Sequence, residues 1–210
     1  MKFSKNQWLL ILGCGFLTLI IIMMIALYHR SHASPKDIDK SLSQYAQQHH
    51  IPKQGESDAK HHMYVFTDFK CTHCFQFHER TYQETIKPFI EQGDVAYTEI
   101  QLPVVHQQSH QYAQMMRAIS KTGHNDIFYR YSDEAYQHQG IDKDPVTVLK
   151  RLHLSDNDER QIINAYQQHK NDKINTKEMK EKFNADSTPT VFIDGRPVRK
   201  IKNIKPKLEK

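Results

Sequence analysis

The hydrophobic positions of the chain form one long run, interrupted only by Gly13, Cys14, Gly15 and Thr18, followed by several short ones. The long run, Trp8 to Leu27, contains no charged residue, and as a helix rising ~1.5 Å per residue it would span ~30 Å, the thickness of a bilayer core. Lys2 and Lys5 precede the run, and basic residues favour the cytoplasmic side of a membrane. The pattern predicts a single-pass anchor in the cell membrane, with the rest of the chain extracytoplasmic.

Two alternatives to a retained anchor stay open. Ser31-His32-Ala33 has the small-residue spacing of a signal-peptidase site, so one alternative is cleavage after Ala33. In the other, Cys14 follows Leu10-Ile11-Leu12-Gly13 as in a lipoprotein signal, although a cysteine in lipid can also be a simple small apolar residue. All of these interpretations export the remainder of the chain.

The short runs predict a strand, a helix and a second strand, in this order. Met63 to Phe69 is apolar and aromatic, which is typical of a buried parallel strand. Apolar residues recur at helical spacing from Phe75 to Ile90, and Gly93 ends that helix. The second strand is Val95 to Leu102. Strand, helix and strand of these lengths form a right-handed βαβ unit.

The remainder of the pattern is helical and then ends in a hairpin. Helical periodicity without a strand pattern fills the middle of the chain. After it, Thr190 to Ile193, Asp194-Gly195 and Arg196 to Lys200 predict a β-hairpin, because Asp-Gly favours the tight turn between antiparallel strands. The pattern predicts an α/β fold. We expect an anchor or uncleaved signal at 1–30, a polar stalk and domain edge at 31–60, and the first part of the domain at 61–106. A helical insertion at 107–185 and a second part of the domain at 186–210, with a short C-terminal helix, follow.

Composition narrows the classes of function. A chain of 210 residues, 25% charged and 38% hydrophobic, suits one domain of ordinary size. The net charge of +5 is spread along the chain except in the tail from Arg196 to Lys210, so no nucleic-acid partner is predicted. The cysteines number 3, namely Cys14, Cys71 and Cys74, too few for a fold held together by disulfides.

Cys71-Thr72-His73-Cys74 stands between the predicted strand and helix, where C-x-x-C is redox-active. The free N–H groups and the positive end of the dipole at a helix start favour a thiolate, so the pKa of Cys71 should be lowered. Cys74 follows one turn later, close enough to close a disulfide. We expect Cys71 to be the exposed attacking sulfur and Cys74 the buried resolving sulfur.

His73 stands between the two cysteines and can offer the thiolate a positive charge or an N–H donor. Stabilising the reduced thiolate makes the disulfide form a stronger oxidant, so His73 favours oxidation of substrates. No cofactor is predicted besides the redox-active disulfide Cys71-Cys74. The alternative interpretation is half of a zinc site, for which His78 is the nearby extra nitrogen; no metal is predicted.

The second motif is Ser187-Thr188-Pro189-Thr190. A proline directly before a strand removes a hydrogen-bond donor from the ladder, so it belongs at a sheet edge or a special turn. The Thr188-Pro189 bond is a candidate for the cis form, which is uncommon and usually purposeful. An ordinary trans proline before a hairpin is the alternative.

Together the two motifs resemble those of the DsbA family of exported thioredoxin-like disulfide oxidases, from about Ile51 to Val198. The residues that carry the resemblance are Val65-Phe66-Thr67-Asp68-Phe69-Lys70-Cys71-Thr72-His73-Cys74 and Ser187-Thr188-Pro189-Thr190-Val191-Phe192-Ile193-Asp194-Gly195. The resemblance implies a thioredoxin fold with an inserted helical subdomain. It also implies a cis Thr188-Pro189 bond beside Cys71, with the Thr188 backbone pairing to an incoming peptide.

The same resemblance implies the catalytic roles. Cys71 would form the mixed disulfide, Cys74 would release it, and a membrane quinone-linked thiol oxidase would reoxidise the pair. The chain departs from the family in having Thr72 where many relatives have proline, so its redox potential should differ. It also has Val65 where relatives often bury an acid that moves protons for Cys74, which leaves proton transfer to water. The tail from Asn203 to Lys210 is short.

The sequence therefore predicts an extracytoplasmic thiol–disulfide oxidoreductase that introduces disulfides into reduced exported proteins through Cys71 and Cys74. An exported thiol reductase or isomerase is the alternative within the same chemistry. A copper or zinc chaperone that binds metal through Cys71, Cys74 and either His73 or His78 is the alternative from a different class.

Overall fold

The computed structural model describes residues 5–31, 33–139 and 144–209, with side chains at 12–25, 33–139 and 144–209. Helix α1 covers Lys5–Ser31. Within the described part of the chain, no helix has the length and apolar character needed to cross a membrane. Lys2, His32 and the side chains at both ends of the predicted span, Trp8 and Leu27, lie outside the described residues. The membrane anchor stays a prediction.

Residues 31–60, predicted as a polar stalk, contain a helix that belongs to the domain. Helix α2 covers Pro35–Gln48 and begins with a capping box. The Ser34 hydroxyl accepts a hydrogen bond from the Asp37 N–H, and the Asp37 carboxylate accepts one from the Ser34 N–H. Leu42 and Tyr45 on the apolar face of α2 are buried. A packed helix therefore replaces most of the predicted stalk.

A 4-stranded sheet in the order β2-β1-β3-β4 organises the domain. Its strands are β1 (His61–Thr67), β2 (Val95–Gln101), β3 (Thr190–Ile193) and β4 (Arg196–Pro197). β1 and β2 are parallel, whereas β3 runs antiparallel to both β1 and β4. The parallel pair that the βαβ prediction requires and the C-terminal hairpin are thus both present, with β1 inside the sheet and β2 at its edge.

Helices form the long connections between the strands. From β1 to β2 the chain passes through three consecutive helical segments: α3 (Thr72–Gln76), a π-helical segment (Phe77–Ile86) and α4 (Lys87–Glu91). The predicted helical insertion from β2 to β3 contains α5 (Ser109–Lys121), α6 (Asn125–Gln137), α7 (Pro145–Arg151), α8 (Asp156–His169) and α9 (Thr176–Phe183). A 3-10 turn (Ile201–Asn203) and the short α10 (Lys205–Leu208) follow β4.

Apolar side chains cover both faces of the sheet. On one face, Met63 and Val65 of β1 belong to a core cluster that also contains Cys71 and Cys74. The alternate β1 residues, Tyr64 and Phe66, belong to a second cluster on the other face, together with α2 and α9. Because both faces of β1 are covered, its sequence is a nearly continuous apolar run rather than an alternating one.

The hairpin turn between β3 and β4 packs directly against α2. Asp194 and Gly195 have φ of 50° and 70°, the left-handed pair that a type I′ turn requires. The Asp194 carboxylate accepts a hydrogen bond from the His62 N–H at 2.9 Å. A Cβ atom added to Gly195 would stand 1.8 Å from the Pro35 carbonyl oxygen. Only a residue without a side chain therefore fits between the turn and α2.

Candidate active site

The C-x-x-C pair lies at the junction between β1 and α3, at a helix start as the sequence predicts. Cys71 has extended backbone angles, with φ of −87° and ψ of 118°, and directly precedes α3. Its N–H donates to the Asp68 carbonyl oxygen at 2.9 Å, and the Cys74 N–H donates to the Cys71 carbonyl oxygen at 3.1 Å. Both cysteines are free thiols. The backbone thus folds the two sulfurs onto one side of the first helical turn.

Cys71 is less accessible than the sequence predicts. Its exposed fraction is 6%, and that of Cys74 is 1%, so the expectation of an exposed attacking sulfur was wrong whereas Cys74 is buried as expected. The cover comes from the loop before β3, because Cys71 Sγ lies 3.3 Å from the Thr188 carbonyl oxygen. A groove of about 550 Å³, with Val104 and Val105 in its wall, leads to Cys71 from outside.

The surroundings give the two sulfurs very different proton affinities. A hydrogen bond with the Cys74 side chain is the largest influence on Cys71 and lowers its pKa to about 5, although burial opposes it; the Thr188 side chain and the N–H groups of Cys74 and His73 act in the same direction. Burial, and then the hydrogen bond with Cys71, raises the pKa of Cys74 far above its ordinary value. At neutral pH Cys71 is therefore a thiolate and Cys74 a thiol.

The two sequence motifs meet at these sulfurs. The Thr188-Pro189 bond is cis, as the resemblance implies. The buried Thr188 hydroxyl has no hydrogen-bond partner of regular geometry among the described residues. Its proton is therefore free to turn toward a thiolate, and the Thr188 side chain lowers the pKa of both Cys71 and Cys74.

Thr72 and His73 are exposed side chains beside the same groove. The backbone N–H of His73 is a hydrogen-bond donor that lowers the pKa of Cys71, as the N–H of any residue at this position would. A role of its ring charge stays a prediction, as does the effect of Thr72 on the redox potential.

Asp68 joins the two walls of the groove, a role that sequence reasoning missed. Its carboxylate is buried and accepts hydrogen bonds from the Lys70 N–H at 2.8 Å and from the N–H groups of Val104 and Val105, each at 2.9 Å. An acid near the end of an apolar strand is visible in the sequence. Its hydrogen-bond partners after β2 could not be predicted, because only the parallel pairing of β1 and β2 brings them close to Asp68.

Gln139 is a second supporting residue that no sequence pattern indicated. Its side-chain amide donates to the carbonyl oxygens of Phe69 at 2.7 Å and Cys71 at 3.1 Å. These hydrogen bonds fix the backbone just before α3 from the turn after α6, 68 residues beyond Cys71 in the chain. Such a long sequence separation leaves no local signal.

Replacing Thr188 by valine should raise the pKa of Cys71. Valine keeps the shape of the side chain and removes the hydroxyl donor, and a hydrogen bond to a charged group is worth enough to expect a rise of about one unit. The measurement is the pH dependence of ultraviolet thiolate absorption of the reduced protein. Thr190→Val is the matched control, because the Thr190 hydroxyl donates to the Ser187 carbonyl oxygen instead; an equal shift in both variants would contradict the role of Thr188.

Of the residues suggested for a metal site, His78 is engaged elsewhere. Within the described residues, no group of three or more His, Cys, Asp or Glu side chains is arranged to hold a metal ion. The His78 ring is stacked on the rings of Tyr82 and Tyr136, at centroid distances of 4.9 and 4.5 Å, and its Nε2 lies 3.1 Å from Asp133 Oδ1. His78 therefore serves as a core residue.

Fold and site together define a class of protein. A thioredoxin-like α/β fold with a helical insertion carries a C-x-x-C pair at its first helix and a cis proline next to it, and a thiolate beside a thiol is the arrangement for disulfide exchange. The chain is a protein thiol–disulfide oxidoreductase. A family model described as Thioredoxin matches residues 47–207, and the chain belongs to this family.

Comparisons with individual proteins agree with this class. A Bacillus cereus protein named "Probable disulfide bond formation protein D" is 28% identical over an alignment 206 residues long, and the match covers 91% of this chain and 90% of that protein. The fold matches oxidised BdbD from Bacillus subtilis with a TM-score of 0.56 at 19% identity, covering 76% of this chain and 91% of that one. It matches the thiol-disulfide exchange protein alpha-DsbA2 from Wolbachia pipientis with a TM-score of 0.61 at 18% identity, covering 85% and 97%. The resemblance to DsbA-type oxidoreductases is thereby confirmed.

Proposed function

We propose that this oxidoreductase introduces disulfides into reduced proteins outside the cytoplasm, with Cys71 as the nucleophile and Cys74 as the resolving cysteine. The observation that carries the proposal is the lowered pKa of Cys71, about 5, next to the strongly raised pKa of Cys74. A stabilised thiolate favours the reduced form of the pair, so the disulfide form is a strong oxidant. This is the property that a donor of disulfides needs.

The proposed reaction consists of two exchanges. A client thiolate attacks Cys71 of the disulfide, Cys74 leaves, and the client is bound to Cys71 as a mixed disulfide. A second client thiolate then attacks the client sulfur and releases Cys71, which is a good leaving group because its pKa is low. The Thr188 carbonyl oxygen beside Cys71 supports pairing of the Thr188 backbone with the client chain.

The stability of the reduced form should depend on pH in a defined direction. Because the folded pKa of Cys71 is depressed to about 5, its contribution is fully present above the pKa of an unfolded cysteine and is lost as the pH falls through 5. The disulfide form lacks this contribution. Chemical unfolding of both forms across this range should therefore show the reduced form gaining stability over the oxidised form as the pH rises; parallel curves would contradict the assignment.

The redox potential of the full chain against glutathione tests the direction of the reaction. We expect a potential more oxidising than that of glutathione, so that the pair is largely reduced at equilibrium with it. A strongly reducing potential would instead favour the exported reductase or isomerase. Zinc or copper bound stoichiometrically to the reduced protein, and lost in Cys71→Ser, would favour the metal chaperone.

For the location, we propose that Trp8 to Leu27 anchors the chain in the membrane. The charge-free sequence supports this, and so do the exposed large apolar side chains of α1, among them Leu12, Phe16 and Leu19. Each transfer to an exported client leaves the Cys71–Cys74 pair reduced, so a membrane quinone-linked thiol oxidase is proposed to reoxidise it. Labelling of Cys71 in intact cells by a membrane-impermeant thiol reagent tests the location, with Cys71→Ser as control; protection of Cys71 until lysis would contradict it.

A further inference from the structure

An acid is buried in the sheet on the same face as the two cysteines. Glu99 lies on β2, is 3% exposed, and is the register partner of Val65 on β1. Paired residues of parallel strands point to the same face of a sheet. Val65 and Tyr97, two residues before Glu99, both pack in the core cluster that contains Cys71 and Cys74. The Glu99 carboxyl therefore lies on the same face of the sheet as the redox pair rather than on the opposite one.

The carboxyl group is held by neutral donors. The Ser132 hydroxyl of α6 lies 2.9 and 2.8 Å from its two oxygens, and the Gln101 amide donates to Oε1 at 2.7 Å. Burial raises the pKa of Glu99 to about 7, although the hydrogen bond from Ser132 opposes the rise. The group is thus able to gain and lose a proton near neutral pH.

Two further hydroxyl groups, those of Tyr136 and Thr67, lead from α6 to Cys74. Tyr136 stands one helical turn after Ser132 on α6, so both side chains project from the same side of that helix. The Tyr136 hydroxyl is hydrogen-bonded to the Thr67 hydroxyl, and the Thr67 side chain is hydrogen-bonded to Cys74. The pKa of Tyr136 is raised first by burial and then by the negative charges of Glu99 and Cys74. Tyr136 therefore lies within electrostatic reach of both groups.

Glu99 also borders a second cavity, on a side of the domain that the active-site groove does not reach. This cavity measures about 180 Å³ and lies between α2, α5, α9 and the edge strand β2. Polar and charged residues line part of it, including His49, Arg117 and Glu178. It offers Glu99 a path for proton exchange with solvent that stays open while a client covers Cys71.

Several titratable groups face Glu99 from the elements packed on it. After burial and the hydrogen bond from Ser132, the influences on the pKa of Glu99 include His78, which lowers it, and Asp133, which raises it. Burial, and in smaller part the negative charge of Glu99, raises the pKa of the neighbouring tyrosines Tyr82, Tyr97, Tyr129 and Tyr136. Because these tyrosines stay protonated at neutral pH, Glu99 and Cys74 are the two groups along this path that can change their protonation during the redox cycle.

We propose that Glu99 supplies and removes the proton of Cys74 through the hydroxyl groups of Tyr136 and Thr67, and exchanges it with solvent through the cavity under β2. The inference rests on the proposed function. When a client thiolate bonds to Cys71, the disulfide bond breaks and its electron pair stays on the Cys74 sulfur. One proton then leaves the Glu99 carboxyl and one arrives at Cys74, which gives a carboxylate and a thiol. Oxidation of the pair reverses the transfer. In this arrangement Glu99 on β2 provides the acid that relatives often have at the position of Val65 on β1.

Rapid mixing of the reduced full chain with glutathione disulfide tests this proposal. Attack by Cys71 forms a mixed disulfide, and Cys74 then releases glutathione after losing its proton. The second step should speed up as the pH rises through about 7, the pKa of Glu99. In Glu99→Gln the second step should be slower, on the order of 100-fold, and should lose this inflection, whereas the first step should keep its rate.

Two further variants separate proton transfer from a structural role. Ser132→Ala keeps the carboxyl and removes a hydrogen bond that lowers its pKa, so the inflection should move to higher pH. Tyr136→Phe should slow the second step as Glu99→Gln does. An unchanged pH profile in Glu99→Gln, or an inflection that stays in place in Ser132→Ala, would overturn the proposal. A first step that fails in the unaltered chain would instead contradict the proposed function of Cys71.

Discussion

Replacing Cys74 by alanine is expected to stop catalytic turnover and leave Cys71 covalently joined to client proteins. Cys71 retains the hydrogen bonds from Thr188 and the His73 N–H, although it loses the one from the Cys74 side chain, so it remains a reactive thiolate that attacks client disulfides. This attack is the reverse of the proposed donation, and in that direction Cys74 would attack the Cys71 sulfur and release the client as a thiol; in the variant that resolving sulfur is missing. Non-reducing electrophoresis of extracts should show high-mass complexes that collapse on reduction, and mass spectrometry of these complexes identifies the clients.

Two controls make the trapping experiment specific. Cys71→Ser combined with Cys74→Ala should trap nothing, because no attacking sulfur remains. Cys14→Ala should leave turnover unchanged, because Cys14 is exposed on α1. Continued turnover in Cys74→Ala, or complexes that survive loss of Cys71, would contradict the assigned roles.

Replacing Gly195 by alanine is expected to destabilise the domain severely. A Cβ atom there would stand 1.8 Å from the Pro35 carbonyl oxygen and 2.8 Å from the Asp39 N. Both are backbone atoms of the α2 region, so relief requires the whole helix to move away from the hairpin. We expect the free energy of unfolding to fall by about 3 kcal/mol or more, measured by chemical denaturation.

Gly123→Ala is the matched control for this effect. Gly123 also has a positive φ, 78° against 70° for Gly195, but an added Cβ would meet nothing within 4 Å. Only the backbone penalty of about 1 kcal/mol should remain. Equal losses in the two variants would mean that contact with α2 contributes nothing to stability.

The sequence predicted the elements whose signals are local. Met63 to Phe69 was expected as a strand and β1 is His61–Thr67, and Val95 to Leu102 was expected where β2 is Val95–Gln101. The hairpin was predicted from Asp194-Gly195, because the turn chemistry is contained in the dipeptide. The C-x-x-C pair was placed at a helix start because the strand and the helical spacing on either side were visible.

The features that were missed depend on contacts between distant segments. Helix α2 is mostly polar, and only its packing against the sheet shows that Leu42 and Tyr45 form part of the core. The burial of Cys71 depends on Thr188, which is 117 residues away. The sequence shows no acid at Val65, whereas the register of β1 with β2 places Glu99 beside it. Pairing of strands cannot be read from either strand alone.

The recessed position of Cys71 has a consequence for when the protein acts on its clients. Cys71 is 6% exposed and its Sγ lies 3.3 Å from the Thr188 carbonyl oxygen, so a rigid, folded client cannot bring its own sulfur into line with that of Cys71. An unfolded, extended segment can enter the groove and lie along the loop that contains Thr188 and Pro189. In the proposed function, client cysteines are therefore oxidised between translocation and folding. Once a client has folded, its thiols can no longer reach Cys71.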